Sequence, residues 1–241
     1  MAKVSSKNTV ILVNGYNFST YYTAYSAENS RNPRDVTGFG DGCKNYIPTI
    51  NSGSITGDVL WDSSAASTHL ILKSLPTGYV TLIPEGYTLG TPTVSLPFMQ
   101  NNYNPKGKPD DAIRLGSIKF ESYGSNVGVE NGWALAHATI TTTTTGSSVL
   151  DPTNAAVTAT CSATLHVWDT TSTDTYVIKV QHSANDSTWS DLITFSANGT
   201  SLTAERQAVA SGTINKYRRV VATRTGSAGD TLGYTVHFQH Q

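Results

Sequence analysis

Apolar and polar residues alternate most regularly in the later part of the chain. In Tyr176-Val177-Ile178-Lys179-Val180-Gln181-His182, Tyr176, Ile178 and Val180 share one face while Lys179 and Gln181 share the other. Leu232, Tyr234, Val236 and Phe238 alternate in the same way with Gly233, Thr235, His237 and Gln239. A period of two marks a strand buried on one side. Further strands are predicted at 157–161, 164–168, 192–195, 204–210 and 217–223. Seven short strands at roughly ten-residue spacing, with no helical pattern between them, predict a β-sandwich or jelly-roll.

The earlier part reads differently. A continuous apolar strand at 9–13 closes on the turn Asn14-Gly15, and an aromatic segment containing Phe18, Tyr21 and Tyr22 follows. The stretch 28–54, with Pro33, Gly38, Gly40, Gly42, Pro48 and Gly53, reads as one long irregular loop. Loops of that length inside a domain are usually functional. One helix is predicted at 63–75: Asp62 or Ser63 caps it, Ala66/Leu70 and Ile71/Leu75 pair at i+4, and Pro76-Thr77-Gly78 stops it. Strands are predicted at 79–83, 93–98, 113–122 and 133–140.

Composition sharpens the division. Eight of nine prolines and 14 of 20 glycines precede Ala138, whereas 23 of 35 threonines follow it. The run Thr139-Ile140-Thr141-Thr142-Thr143-Thr144-Thr145-Gly146-Ser147-Ser148 is either an extended linker or an exposed strand, because β-branched Thr resists helix formation. The expected organisation is therefore a first domain over 1–138, a Thr-rich linker over 139–148 and a second β-sandwich over 149–241. Charged residues make up 14% of the chain, against roughly a quarter in an average domain. A net charge of -1 removes any global attraction to nucleic acid. No run approaches the ~18 apolar residues of a membrane span, so no membrane insertion is expected. Residues 1–8 lack the apolar core of a signal peptide, which predicts a chain made and kept in a cytoplasm.

Candidate chemistry is sparse. Nucleophile-elbow, zinc-helix and phosphate-loop motifs are absent. Gly38-Phe39-Gly40-Asp41-Gly42 has the look of a glycine-rich phosphate loop but lacks the strand before it and the helix after it. Cys43 and Cys161 sit in no metal spacing and read as idle or buried thiols. His166 and His182 fall on strands predicted to be neighbours, yet no carboxylate or cysteine stands beside them at ligand spacing. Asp110-Asp111 is adjacent loop charge, whereas paired catalytic carboxylates face each other across a cleft. Ser183-Ala184-Asn185-Asp186-Ser187-Thr188-Trp189 reads as a hairpin turn with Trp189 packed on the sheet. Arg218 and Arg219 point to opposite faces of one strand, which favours ion pairing over a single basic patch. No catalytic, cofactor or metal residue is assigned, and no enzyme is expected.

Asp35-Val36-Thr37-Gly38-Phe39-Gly40-Asp41, then Tyr46-Ile47-Pro48, Gly53-Ser54-Ile55 and Leu60-Trp61-Asp62 resemble the major tail tube proteins of long-tailed, siphovirus-like bacteriophages. Gly86 and Gly90, and Tyr103-Asn104-Pro105 before the strand at 113–121, belong to the same pattern, which covers roughly 10–138. Thr49-Ile50 departs from it, standing where Gly-Leu is usual. The second half is similar to C-terminal portions of such tail proteins, with less specificity. The resemblance implies a mainly β protein: a tail tube β-sandwich or barrel with one short flanking helix, then a second, Ig-like or jelly-roll-like sandwich. It further implies hexameric rings of identical subunits stacked into a tube in the virion tail, made in the bacterial host cytoplasm. Implied partners are other copies, the tape measure, tail terminator and baseplate proteins, and DNA passing without sequence-specific binding. Asp35, Val36, Thr37, Gly38, Phe39, Gly40, Asp41, Tyr46, Ile47 and Pro48 become the assembly-loop candidates, with Phe39, Tyr46 and Ile47 as apolar anchors. The alternative is a carbohydrate-binding, host-recognition or decoration protein, in which Trp168, Trp189 and Tyr217 form an exposed coplanar platform.

Overall fold

The computed structural model describes residues 6–47, 51–124, 127–151, 155–171, 173–226 and 229–240. The fold is mainly β, with one short helix, and every named strand pair is antiparallel. The longer strands of the first half are β1 (Val10–Val13), β2 (Tyr22–Arg31), β3 (Asn51–Leu60), β4 (Thr77–Ile83), β5 (Pro92–Gln100), β6 (Arg114–Ser122) and β7 (Glu130–Ile140). The helix α1 (Thr68–Leu72) lies between β3 and β4. The second half supplies β8 (Val157–Thr170), β9 (Thr175–Ser183), β10 (Ser190–Thr194), β11 (Thr203–Ile214), β12 (Tyr217–Thr225) and β13 (Leu232–His240).

One large sheet runs through both halves in the order β11-β8-β13-β7-β5-β6-β3-β2. Its joint is β7: Glu130–Trp133 pair with β5, and Trp133–Ile140 pair with β13. The sheet branches at β5. Val94 to Met99 pair with β4, while the overlapping residues 92–95 and 98–100 pair with β7 and β6, so the latter two must lie on the opposite edge from β4. A second sheet, β12-β9-β10, carries the two-residue strands Thr144–Thr145 and Val149–Leu150 on β12. Within the threonine run, Thr139 and Ile140 thus end β7 and Thr144–Thr145 joins the second sheet.

Two apolar clusters are buried, the second of them also taking in Leu135, Ala136 and Ile140 of β7. In the first, Ile11, Val13, Phe18, Val59, Leu72, Val80, Leu96, Phe98 and Phe120 are fully buried, with the Phe98 and Phe120 rings 4.4 Å apart. In the second, the two sheets face each other over Leu165, Val167, Tyr176, Ile178, Val180, Phe195, Val220, Val236 and Phe238. A buried side chain of this size contributes about 1.5–3 kcal/mol. Between the clusters lies a layer of buried hydroxyls and imidazoles. Thr81 donates to Ser95, Ser95 to Thr164, His166 Nε2 lies 2.9 Å from Thr81 Oγ1, and His237 Nδ1 lies 2.5 Å from Thr93 Oγ1. Gly15 N–H donates to His166 Nδ1, docking the Asn14-Gly15 turn on β8.

Four expectations need correction. The stretch 28–54 is not one irregular loop, because 28–31 and 51–54 are strand and pair with each other. The helix covers only Thr68–Leu72. Asp62 Oδ1 accepts from the Ser64 N–H and hydroxyl, Ser67 Oγ donates to the Asp62 carbonyl, and Ala66 is left-handed at φ +59°, so local side-chain bonds displace the first helical turns. Ser67, not Asp62 or Ser63, holds the N-cap position. The two strands at 157–161 and 164–168 are one strand, β8, with a register shift between Ala159 and Cys161 on its β11 side. No helix among the described residues is long and apolar enough to cross a membrane.

Candidate assembly surface

β2 and β3 form a hairpin paired from Tyr22↔Val59 out to Arg31↔Asn51. β3 alternates, burying Gly53, Ile55, Gly57 and Val59, while β2 is exposed at most positions and, among the described residues, pairs on one side only. The hairpin therefore presents a free edge beyond β3. Its arms lead to a tip that holds itself together. Arg34–Asp35 pairs with Tyr46–Ile47, and Val36 N–H donates to the Asn45 carbonyl. Asp35 Oδ1 accepts from the Thr37 hydroxyl and N–H, and Thr37 Oγ1 accepts from Asn45 N–H at 2.9 Å. Asp41 Oδ2 accepts from Gly38 N–H at 2.7 Å and from Asn45 Nδ2 at 2.9 Å. The Thr37 side chain and backbone hold the Asp35 carboxyl below the usual carboxylate range; Gly38 N–H and the Asn45 side chain do the same for Asp41.

This frame displays apolar groups instead of covering them. Phe39 is fully exposed, and Val36, Tyr46 and Ile47 are each about half exposed. A Cβ at Gly40 or Gly42 would meet nothing within 4 Å, so no local packing calls for glycine there. Of the ten assembly-loop candidates, nine share this tip; Pro48 lies outside the described residues, as do Thr49 and Ile50. The tail-tube-like motif beyond the loop has its own structural use. Asp62 accepts from Tyr21 Oη at 3.0 Å, and Tyr103 Oη, which accepts from Trp61 Nε1 at 3.2 Å, also lies 2.6 Å from His69 Nδ1, tying α1 to the hairpin root.

The remaining candidates do not converge. His166 lies in the large sheet and His182 in the second, where His182 Nδ1 accepts from Asn215 N–H at 3.2 Å, so they are not on neighbouring strands. No group of three or more His, Cys, Asp and Glu side chains able to hold a metal occurs among the described residues. Cys43 is exposed on the tip, Cys161 is buried in β8, and both are free. Asp111 and Arg114 form an exposed contact at 3.7 Å. Trp168, Trp189 and Tyr217 make no shared platform. Trp168 belongs to the large sheet and stacks on His137 at 5.1 Å, whereas Trp189 lies under Arg219 at 4.1 Å beside the second sheet. The turn before it is held by Asn185 Oδ1, which accepts from the N–H groups of Ser187 and Thr188.

The sequence predicts ion pairing of the second-half arginines, but not their partners. Glu130, at the start of β7, accepts from Arg206 on β11 at 2.7 and 2.9 Å and from Ser162 and Gln239 at 2.6 and 2.7 Å. Burial pushes the Glu130 carboxyl up, but the Arg206 and Ser162 hydrogen bonds outweigh it and hold it below its usual range. On β12, the buried Arg218 donates to Asp151 at 2.5 Å. The only sequence-level signal was the opposed facing of Arg218 and Arg219, which identifies a buried arginine without naming its partner.

No protein-family model matches this chain, and no curated protein does. Among solved structures, it is similar to a chain in the virion of a native gene transfer agent particle, at 16% identity and a TM-score of 0.41, covering 52% of this chain and 96% of that one. A chain in the tail of an empty gene transfer agent particle gives 16% identity and a TM-score of 0.42, over 51% and 96%. The Dit protein of phage SPP1, a hub of the adsorption apparatus in phages infecting Gram-positive hosts, gives 9% identity and a TM-score of 0.30 over 97% and 99%. Similarity at that level decides nothing about role, which has to come from the chain's own surface.

Proposed function

We propose that this chain is a structural virion protein that self-assembles into rings stacked as a phage tail tube, a conduit for the genome. The observation that carries the reading is the hairpin tip: Val36, Phe39, Tyr46 and Ile47 stand in solvent on a frame braced by its own hydrogen bonds. A loop that spends its hydrogen bonds on itself while showing an aromatic ring is shaped to bury that ring elsewhere. Full burial of Phe39 in a neighbour contributes about 1.5–3 kcal/mol per contact, multiplied around every ring.

Two further features support a head-to-tail contact between identical copies. The outer edges of β2 and β11 terminate opposite ends of one sheet, and neither pairs with another strand among the described residues. Unlike edges on one molecule suit heterologous association, which closes into rings or continues as filaments. The sequence resemblance supports the tube as the particular product of this proposal, with further tail proteins as partners at its ends and DNA passing through unread. Near-zero net charge lowers repulsion among many copies. The test is deletion of residues 36–47 followed by negative-stain microscopy and sedimentation. A folded monomer that forms no tubes is expected, with intact protein assembling under the same conditions. Tubes from the deleted chain overturn the reading.

A further inference from the structure

Three Asn-Gly steps occur in the chain, at Asn14-Gly15, Asn131-Gly132 and Asn198-Gly199. Glycine after asparagine leaves the following backbone nitrogen unhindered to reach the side-chain amide carbon. The surroundings then decide whether it does so. At the first step both reacting groups are engaged. Asn14 Nδ2 donates to the Thr77 carbonyl at 2.9 Å, Asn14 Oδ1 accepts from Tyr79 N–H at 2.8 Å, and Gly15 N–H donates to His166. The second step lies inside β7, where Asn131 and Gly132 are in register with Val94 and Thr93 of β5.

The third step is arranged differently. Asn198 and Gly199 lie in the connection between β10 and β11. The Asn198 backbone is clamped on both sides by Tyr176, whose N–H donates to the Asn198 carbonyl at 2.6 Å while Asn198 N–H donates to the Tyr176 carbonyl at 2.9 Å. Gly199 N–H is directed at its own neighbour's side chain, 2.5 Å from Asn198 Oδ1. No other partner of the Asn198 amide occurs among the described residues. The nucleophile and the amide carbon are thus held together by a fixed backbone, the arrangement in which intramolecular reactions gain most.

We propose that Asn198 is a site of spontaneous deamidation through a cyclic imide. The Gly199 nitrogen loses its proton and bonds to Asn198 Cγ, and the side-chain NH2 leaves as ammonia. Water then opens the imide at either carbonyl, giving aspartate or isoaspartate, with no oxidant or reductant. The isoaspartate product inserts an extra carbon into the backbone, and Gly199 has no slack to absorb it. A Cβ built at Gly199 already stands 2.2 Å from the Asp174 carbonyl oxygen. The Tyr176 bridge is then lost, loosening the approach to β11.

The test is incubation of the full chain at mildly alkaline pH, folded and in denaturant, with peptide mass mapping of all three steps. In the folded protein Asn198 is expected to convert about tenfold faster than Asn14 or Asn131, a barrier difference of about 1.4 kcal/mol. In denaturant the three rates converge. Folded-state conversion of Asn198 no faster than that of Asn14 and Asn131 overturns the proposal.

Discussion

Arg218 shows how one charged residue is accommodated in a protein that has few. It follows Tyr217 on β12 and points into the second core, where its guanidinium carbon stands 4.9 Å from the Phe238 ring and 5.7 Å from that of Trp133. Such stacking suits the planar, weakly hydrated arginine head and not a lysine. Asp151 Oδ2 balances it at 2.5 Å and also meets His240 Nε2 at 2.9 Å. Removing one member of a buried pair strands the other's charge, whereas replacing both by apolar groups removes the desolvation cost as well. Asp151→Ala is therefore expected to cost about 3–5 kcal/mol in denaturant unfolding, and the Asp151→Leu/Arg218→Met double variant clearly less than that single change. A double variant as unstable as Asp151→Ala contradicts this account.

At the scale of elements, β7 bears the most constraint because it serves two partners in succession. Gly132 sits where it passes from β5 to β13, and a Cβ there would stand 2.1 Å from the Phe238 carbonyl oxygen. Gly132→Ala is expected to destabilise by about 1–3 kcal/mol and to reduce amide-exchange protection in β7 and β13 first. Unchanged protection in both strands counts against it. β9 and β12, with one wet face and one dry face, were readable from alternation alone, and β13 from its alternation of apolar and polar residues, although both of its faces are buried. β2 was not, because it is exposed along most of its length and carries no apolar period. β8 runs unbroken through 162–163, where the sequence pattern leaves a gap, and Ser162 there is buried and donates to Glu130. The helix was overextended because i+4 spacing cannot reveal that Ser64 and Ser67 bond to Asp62. At the tip, the apolar residues stood out among glycines, while the frame beneath them did not. The bonds of Asp35 and Asp41 go to neighbouring backbone and side chains at separations that no periodicity marks.

For the whole molecule, the two apolar clusters share a sheet and are joined by the polar layer containing His166 and His237. β7 and β13 pair along Trp133–Ile140 and Leu232–Phe238, within that shared sheet. Burial pushes His166 down to about 3, with His237 nearby adding to the effect, and pushes His237 down to about 4. Both lie below the unfolded value of about 6.5, so in the window between them the unfolded chain binds more protons. Stability is full above pH about 6.5 and falls as the pH drops, by up to about 1.4 kcal/mol per pH unit for each histidine. Denaturant midpoints measured between pH 7 and pH 4 should show this slope, and His237→Gln should flatten it; an equal slope in that variant refutes the assignment. The two unlike outer edges, β2 at one end of the large sheet and β11 at the other, have a further consequence for any polymer joined through them. Each added copy leaves the same edge showing at the same end, so the polymer has a direction. Growth at its two ends is chemically inequivalent, and a protein that stops one end has no reason to recognise the other.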